Sequence, residues 1–351
     1  MAEPITAAQL IYGNVEVEQS PRRRRGFQTL YYTREALNTS EVLKLESYLT
    51  HESRGHPGQR QIFTRTATNK PVVARFVPLS GADKFGRAGR YFAHALIFND
   101  AEFERLDCDP FAVLGPGDGP FFPTLEAAIA AGRFEDGDIP PARFAPAVRD
   151  TRAGSGPWEQ WPDLEPLRAV LLAASQAAKV RAERRTIALR GSPEAVTAFL
   201  EALFALLPPP VRRECTFDNY ASERMIDKLG YWAVGLPEPP PRRPTLWAFA
   251  LDNPGFSPSL PLHPENGFER SFWEVLGDTS LPAADRLGTL GPAYQLSQAL
   301  EERDLARAER IDPARVSRFL ETNASRCDAI LRDRLREVVG QGPPEIGRAH
   351  V

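Results

Sequence analysis

The chain has 351 residues, 42% of them hydrophobic and 25% charged, with a formal net charge of -3. That composition belongs to a folded globular protein of two or three domains and argues against a dedicated nucleic-acid binder, whose binding domain is usually strongly basic. Cys108, Cys215 and Cys327 are scattered, form neither a disulfide framework nor a CxxC zinc pair, and read as reduced thiols of a cytosolic protein.

The N-terminus, Met1-Ala-Glu-Pro-Ile-Thr6, lacks the basic and apolar regions of a secretory signal. No run approaches the ~18 apolar residues of a membrane span. Gln9–Gly13 and Gly26–Tyr32 read as strands joined by the run Arg22–Arg25. Asn38, with Glu41 three positions on, predicts a capped helix through Leu49 that buries Val42, Leu45 and Leu49. Gln61–Thr64, Pro71–Val77 and Tyr91–Phe98 are rich in β-branched and aromatic residues and predict three more strands. A short helix over Thr124–Gly132 follows a Pro/Gly-rich turn.

Gly154–Trp158 and the prolines before it mark a linker. Beyond it come an apolar helix over Leu164–Ala178, a strand over Arg185–Leu189, and a helix capped by Ser192 with Pro193 at its first position, ending at Leu207 against Pro208-Pro-Pro210. Cys215–Tyr220, Tyr231–Gly235 and Leu246–Ala250 read as strands, the last two separated by the polyproline-like Pro237–Pro244. From about Gly267 the pattern is helical to near Gly340, with a helix start at Asp312-Pro313. The whole predicts an α+β protein: a strand-rich N-terminal α+β domain over 7–150, a middle α/β domain over 163–252 and a C-terminal helical region over 267–340.

The segment Gly86-Arg-Ala-Gly-Arg-Tyr-Phe-Ala-His-Ala-Leu-Ile-Phe98 runs a turn with two glycines and two arginines into an apolar strand carrying His94. Gly86-x-x-Gly89 could cradle a phosphate with backbone N–H groups, but a strand follows it rather than the helix of a P-loop. His94 shares a strand face with Phe92, Leu96 and Phe98, which fits a core histidine; the alternative is an acid–base or ligand-contacting role. His51 and His56, five apart with Glu52 between, read as a solvated loop, with metal ligation the alternative; no further ligand completes a shell. The Arg22–Arg25 run reads as a solvated hairpin tip, or as an RNA- or anion-contacting loop with Phe27, Tyr31 and Tyr32 for stacking. Trp158 and Trp161 flank the linker and suit either a partner contact or packing. No cofactor is called for by any motif.

The chain resembles the bacterial GTPase-associated protein 1 family over about residues 7–250. The resemblance rests on Gln9–Gly13 with the Gly26-Phe-Gln28 strand, on Gly86–Leu96, and on Ala202–Pro208 through Cys215–Tyr220. It implies a non-enzymatic adaptor or regulator in a bacterial conflict or defence system, bound to a GTPase and to effector-associated proteins encoded nearby. It implies no catalytic residues, and the region after the middle domain is shorter here than in long relatives. On this reading Arg87, Arg90 and Tyr91, with Arg24 and Arg25, form a partner- or anion-binding rim. The alternative is an enzyme or binding protein acting on a nucleotide or nucleic acid, with His94 and flanking arginines in the site.

Overall fold

The computed structural model describes residues 3–50, 60–80, 89–115, 119–146, 156–221, 226, 229–237, 243–257 and 261–302. The fold is α+β and divides into two compact units. The first spans 1–150, 177–204 and 209–259; the second spans 151–176, 205–208 and 260–351.

The first unit is built on one sheet of 11 strands among the described residues. They are β1 (Ile5–Val15), β2 (Gly26–Tyr32), β3 (Gln61–Arg65), β4 (Pro71–Pro78), β5 (Tyr91–Ile97), β6 (Ala142–Phe144), β7 (Thr186–Arg190), β8 (Phe217–Asp218), β9 (Ala233–Leu236), β10 (Leu246–Ala250) and β11 (Gly255–Ser257). Their order is β11-β10-β7-β9-β8-β3-β4-β5-β1-β2, with β6 pairing with β1 off this path. β1 to β6 pair antiparallel, whereas β10, β7, β9 and β8 run parallel. Strands from both the N-terminal and the middle stretch of sequence therefore lie in the same sheet.

β5 is buried along its whole length because both faces are covered, which is why it reads as an unbroken apolar run. On one face Tyr91, Ala93, Ala95 and Ile97 pack with Val42, Leu45, Tyr48 and Leu49 of the Thr39–Leu49 helix. On the other, Phe92 joins Ile11, Val15, Leu30, Leu125 and Ala128. The Thr39–Leu49 helix starts where its sequence says. Asn38 Oδ1 accepts from Glu41 N at 3.0 Å, and Glu41 Oε2 accepts from Asn38 N at 3.0 Å, satisfying two donors that a helix start leaves unpaired.

β8 is the splice between the antiparallel and parallel halves. It pairs antiparallel with β3 (Ile62 opposite Asp218) and parallel with β9 (Asp218 opposite Val234). Two residues make a weak ladder, and side chains reinforce it. The Arg60 guanidinium donates Nη2 to Asp218 Oδ2 at 2.7 Å and Nε to both carboxylate oxygens at 3.1 and 3.2 Å. Both side chains are buried, at 1% and 0% exposure. Asn219 Oδ1 accepts from Gln61 N at 2.6 Å while its Nδ2 donates to Thr197 Oγ1 at 2.7 Å. Phe63, Phe103, Phe111, Phe204 and Phe217 pack ring on ring beside the splice, with centroids 5.3 to 6.3 Å apart. Each such ring taken from water contributes roughly 1.5–3 kcal/mol.

Sequence and structure differ in places. The strand expected over Cys215–Tyr220 is confined to Phe217–Asp218, because Asp218 Oδ1 accepts from Tyr220 N at 3.1 Å and turns the chain away. The helix expected over Leu164–Ala178 is two helices, Glu165–Ser175 and Ala177–Ala182. Pro209 opens a further helix, Pro209–Glu214, since a proline at the first helical position forfeits no hydrogen bond. β6 and β11, three residues each, carry no alternation that sequence reading could find.

In the second unit the Glu165–Ser175 helix is tied to the Gly267–Gly277 helix through Glu269. This buried carboxylate accepts from Ser175 Oγ at 2.7 Å, Gln176 Nε2 at 2.9 Å and Glu265 N at 2.6 Å. The Arg168 guanidinium lies 4.0 Å over the Trp273 ring. Helices Ala283–Gly288 and Leu290–Glu302 continue the helical region; the Asp312-Pro313 start lies outside the described residues. Trp158 is buried, and Trp161 meets its ring edge-on at 6.4 Å. Among the described residues no helix is long and apolar enough to cross a membrane.

Candidate functional site

Antiparallel pairing brings two hairpin ends to the same end of the sheet. Val15 lies opposite Gly26 in β1–β2, Gly13 lies opposite Phe92 in β1–β5, and Pro78 lies opposite Tyr91 in β4–β5. The turn carrying Arg22–Arg25 and the start of β5 at Arg90 therefore lie at the same end of the sheet, though 65 positions separate Arg25 from Arg90 in sequence.

The first turn is braced by its own side chains. Ser20 Oγ accepts from Arg22 N at 3.2 Å and Arg24 N at 3.3 Å and donates to Gln28 Oε1 at 3.1 Å. Gln28 Nε2 donates to the Arg24 carbonyl at 2.7 Å. Arg23 and Gly26 take positive φ, 52° and 100°, which closes the turn. Arg25 Nε pairs with Glu16 Oε2 at 2.7 Å, and the Arg23 guanidinium sits 5.3 Å over the Phe134 ring. Arg22 and Arg24 are exposed, and among the described residues their guanidiniums have no partner. A stiff backbone thus carries two unengaged cations.

Arg90 donates Nη2 to the Asn14 carbonyl at 3.3 Å, while its Nε is buried without a partner. It lines a cleft of about 300 Å³ with Gln19, Ser80, Phe92, Thr124 and Glu126. Arg87 lies outside the described residues, as do His51, Glu52 and His56. Tyr91 does not stand on the rim as the sequence reading has it. Its side chain is buried and its hydroxyl donates to the Leu49 carbonyl at 2.9 Å, because β5 turns this residue toward the helix face. The exposed aromatic is Phe27, 44% exposed, whose ring lies 4.8 Å from Tyr91 and 6.1 Å from Tyr12.

His94 is fully buried. Its Nδ1 accepts from Phe122 N at 3.1 Å, which leaves the proton on Nε2 to be donated to Gln9 Oε1 at 2.8 Å. Gln9 in turn donates Nε2 to the Pro140 carbonyl at 2.6 Å. The ring stacks on Phe122 at 4.7 Å and meets Phe121 edge-on at 5.4 Å. Burial without a compensating anion pulls the imidazole's pKa from its ordinary 6.5 down to about 3, so it stays neutral at physiological pH. Both ring nitrogens are engaged inside the fold, and an acid–base role has neither a proton to exchange near neutrality nor a path to substrate.

Among the described residues no three His, Cys, Asp or Glu side chains gather as metal ligands. Cys108 and Cys215 are buried thiols, each with its pKa raised chiefly by burial, so neither is an activated nucleophile. The exposed, unpartnered Arg22 and Arg24 at the hairpin end suit contact with an acidic or anionic surface; Phe27 lies on the Tyr12 and Tyr91 side of the sheet and the Arg90 cleft on the Phe92 side. No protein-family model matches the chain, and no curated protein matches it.

Proposed function

We propose that this chain is a non-enzymatic adaptor of a bacterial GTPase-centred conflict or defence system, coupling a GTPase to effector modules through protein–protein contacts. The observation that carries the reading is the exposed end of the β1–β2 hairpin, where Arg22 and Arg24 have no guanidinium partner among the described residues and Phe27 is exposed. Resemblance to the GTPase-associated protein 1 family supplies the class of partner. Arginine beside an aromatic anchor is the composition of protein-binding hot spots, and guanidinium forks hold carboxylates in bidentate fashion. The burial of His94, with both ring nitrogens hydrogen-bonded inside the fold, supports this reading over an enzymatic one. A cytoplasmic location accompanies this reading.

The test is capture of the tagged full chain from its native host with either GDP or a non-hydrolysable GTP analogue present. The adaptor reading expects a GTPase whose recovery changes with the nucleotide. Recovery of RNA or of a nucleotide without any GTPase contradicts it.

A further inference from the structure

β2 ends the sheet, with β1 as its neighbour on one side. In an antiparallel pair the backbone groups of successive residues face alternate sides. Gln9 O accepts from Thr33 N at 2.9 Å, so Gln9, Ile11 and Gly13 turn their peptide groups toward β2. Asn14 turns its carbonyl the other way, toward the start of β5, where Arg90 Nη2 donates to it at 3.3 Å. Phe27 lies opposite Asn14, so its own N–H and C=O point away from β1, out of the edge of the sheet.

Elsewhere along this edge the chain covers its outward groups itself. The Thr29 N–H donates to Glu46 Oε1 at 3.3 Å. The Tyr32 N–H donates to the Gly137 carbonyl at 3.3 Å, and the Tyr32 carbonyl accepts from Ile139 N at 3.4 Å. Phe27 is left open: among the described residues neither its N–H nor its C=O has a partner beyond the edge, and its side chain is 44% exposed. Native folds normally cover or blunt such positions, because an open strand edge pairs with another chain.

We infer that this stretch of β2 takes an extended acidic segment of a partner protein as an added strand. The segment's backbone bonds to Phe27 N–H and C=O, an apolar side chain packs on the Phe27 ring, and a carboxylate meets Arg24. This mode of binding deepens the adaptor reading and rests on it for the existence of a protein partner. The Phe27 ring is ordered in advance by Tyr91 at 4.8 Å and Tyr12 at 6.1 Å, and Tyr91 is itself held through its hydroxyl by the Leu49 carbonyl, which lowers the entropic cost of binding. The hairpin turn folds back on Gln28, whose Nε2 donates to the Arg24 carbonyl at 2.7 Å and whose Oε1 accepts from Ser20 Oγ at 3.1 Å. Arg24 is thereby kept beside the next residue of the edge, exposed and, among the described residues, without a partner for its guanidinium. Backbone bonds at one residue set the register but contribute only about 1 kcal/mol each. The ring and the arginine therefore select the segment, and a carboxylate gains the charge-assisted bond that a basic or neutral residue forgoes.

Selection of a displayed library of random linear peptides on the full chain tests this. The selected peptides carry Asp or Glu close to an aromatic or aliphatic residue. Their binding slows hydrogen exchange at the Phe27 amide, which is fast in the free chain. Arg24→Glu weakens them at least tenfold, and so does Phe27→Pro, which removes the outward N–H without breaking a β1–β2 bond. The inference is overturned if no peptide binds below about 1 mM, if bound peptides leave the Phe27 amide exchanging as before, or if either variant keeps wild-type affinity. A free chain that sediments as a dimer with its Phe27 amide already protected overturns it in favour of a second copy. A captured GTPase that leaves Phe27 unprotected sinks the added strand alone, whereas peptides that protect Phe27 with no GTPase captured sink the adaptor reading alone.

Discussion

Acidification isolates His94. Its folded pKa of about 3 lies well below the ordinary 6.5, so between those values the unfolded chain takes up a proton that the folded chain refuses. The associated stability is fully present above pH 6.5 and is lost as the pH falls toward 3. Each unit of difference is worth about 1.4 kcal/mol, and the loss from this one site amounts to about 2 kcal/mol by roughly pH 5. Urea denaturation of wild type and His94→Gln at roughly pH 8 and pH 5 reads it directly. The variant starts less stable, because Phe122 N or Gln9 Oε1 loses its partner, but its stability falls with pH by about 2 kcal/mol less than that of wild type. Carboxylates titrate alike in both proteins and cancel in the difference. Equal pH slopes would refute the reasoning, since they require an imidazole that protonates as readily folded as unfolded.

Asp218→Ala leaves the Arg60 guanidinium buried without its counterion and is expected to cost about 3–5 kcal/mol in urea denaturation; the double change Arg60→Met with Asp218→Leu costs less than the sum of the single changes. Gly235→Ala places a Cβ 2.0 Å from the Asn219 carbonyl oxygen, a backbone contact that cannot yield, and lowers stability by about 1–3 kcal/mol or more. Asn38→Ala removes the cap of the Thr39–Leu49 helix and costs roughly 1 kcal/mol, seen as a lowered melting temperature.

What was legible in the sequence was local. The Asn38–Glu41 box, the Ser192 cap and the apolar run of β5 each place their cause and effect within a few residues, and the α+β class followed from their sum. The splice at β8 was illegible because its bond partners are 158 positions apart. Tyr91 and Phe27 show the same limit at the candidate site. Alternation says that neighbours in a strand face opposite ways, but not which face the helix covers, so the ring expected outside is inside and its cross-sheet neighbour is exposed.

The most direct test of the adaptor account is the dissociation constant between this chain and the GTPase recovered with it, for wild type and for Arg22→Glu with Arg24→Glu. Both arginines are exposed and without partners among the described residues, so the fold is untouched and only the rim changes sign. The account predicts at least a tenfold weakening, about 1.4 kcal/mol or more. An unchanged dissociation constant would contradict it and move the contact away from the hairpin ends.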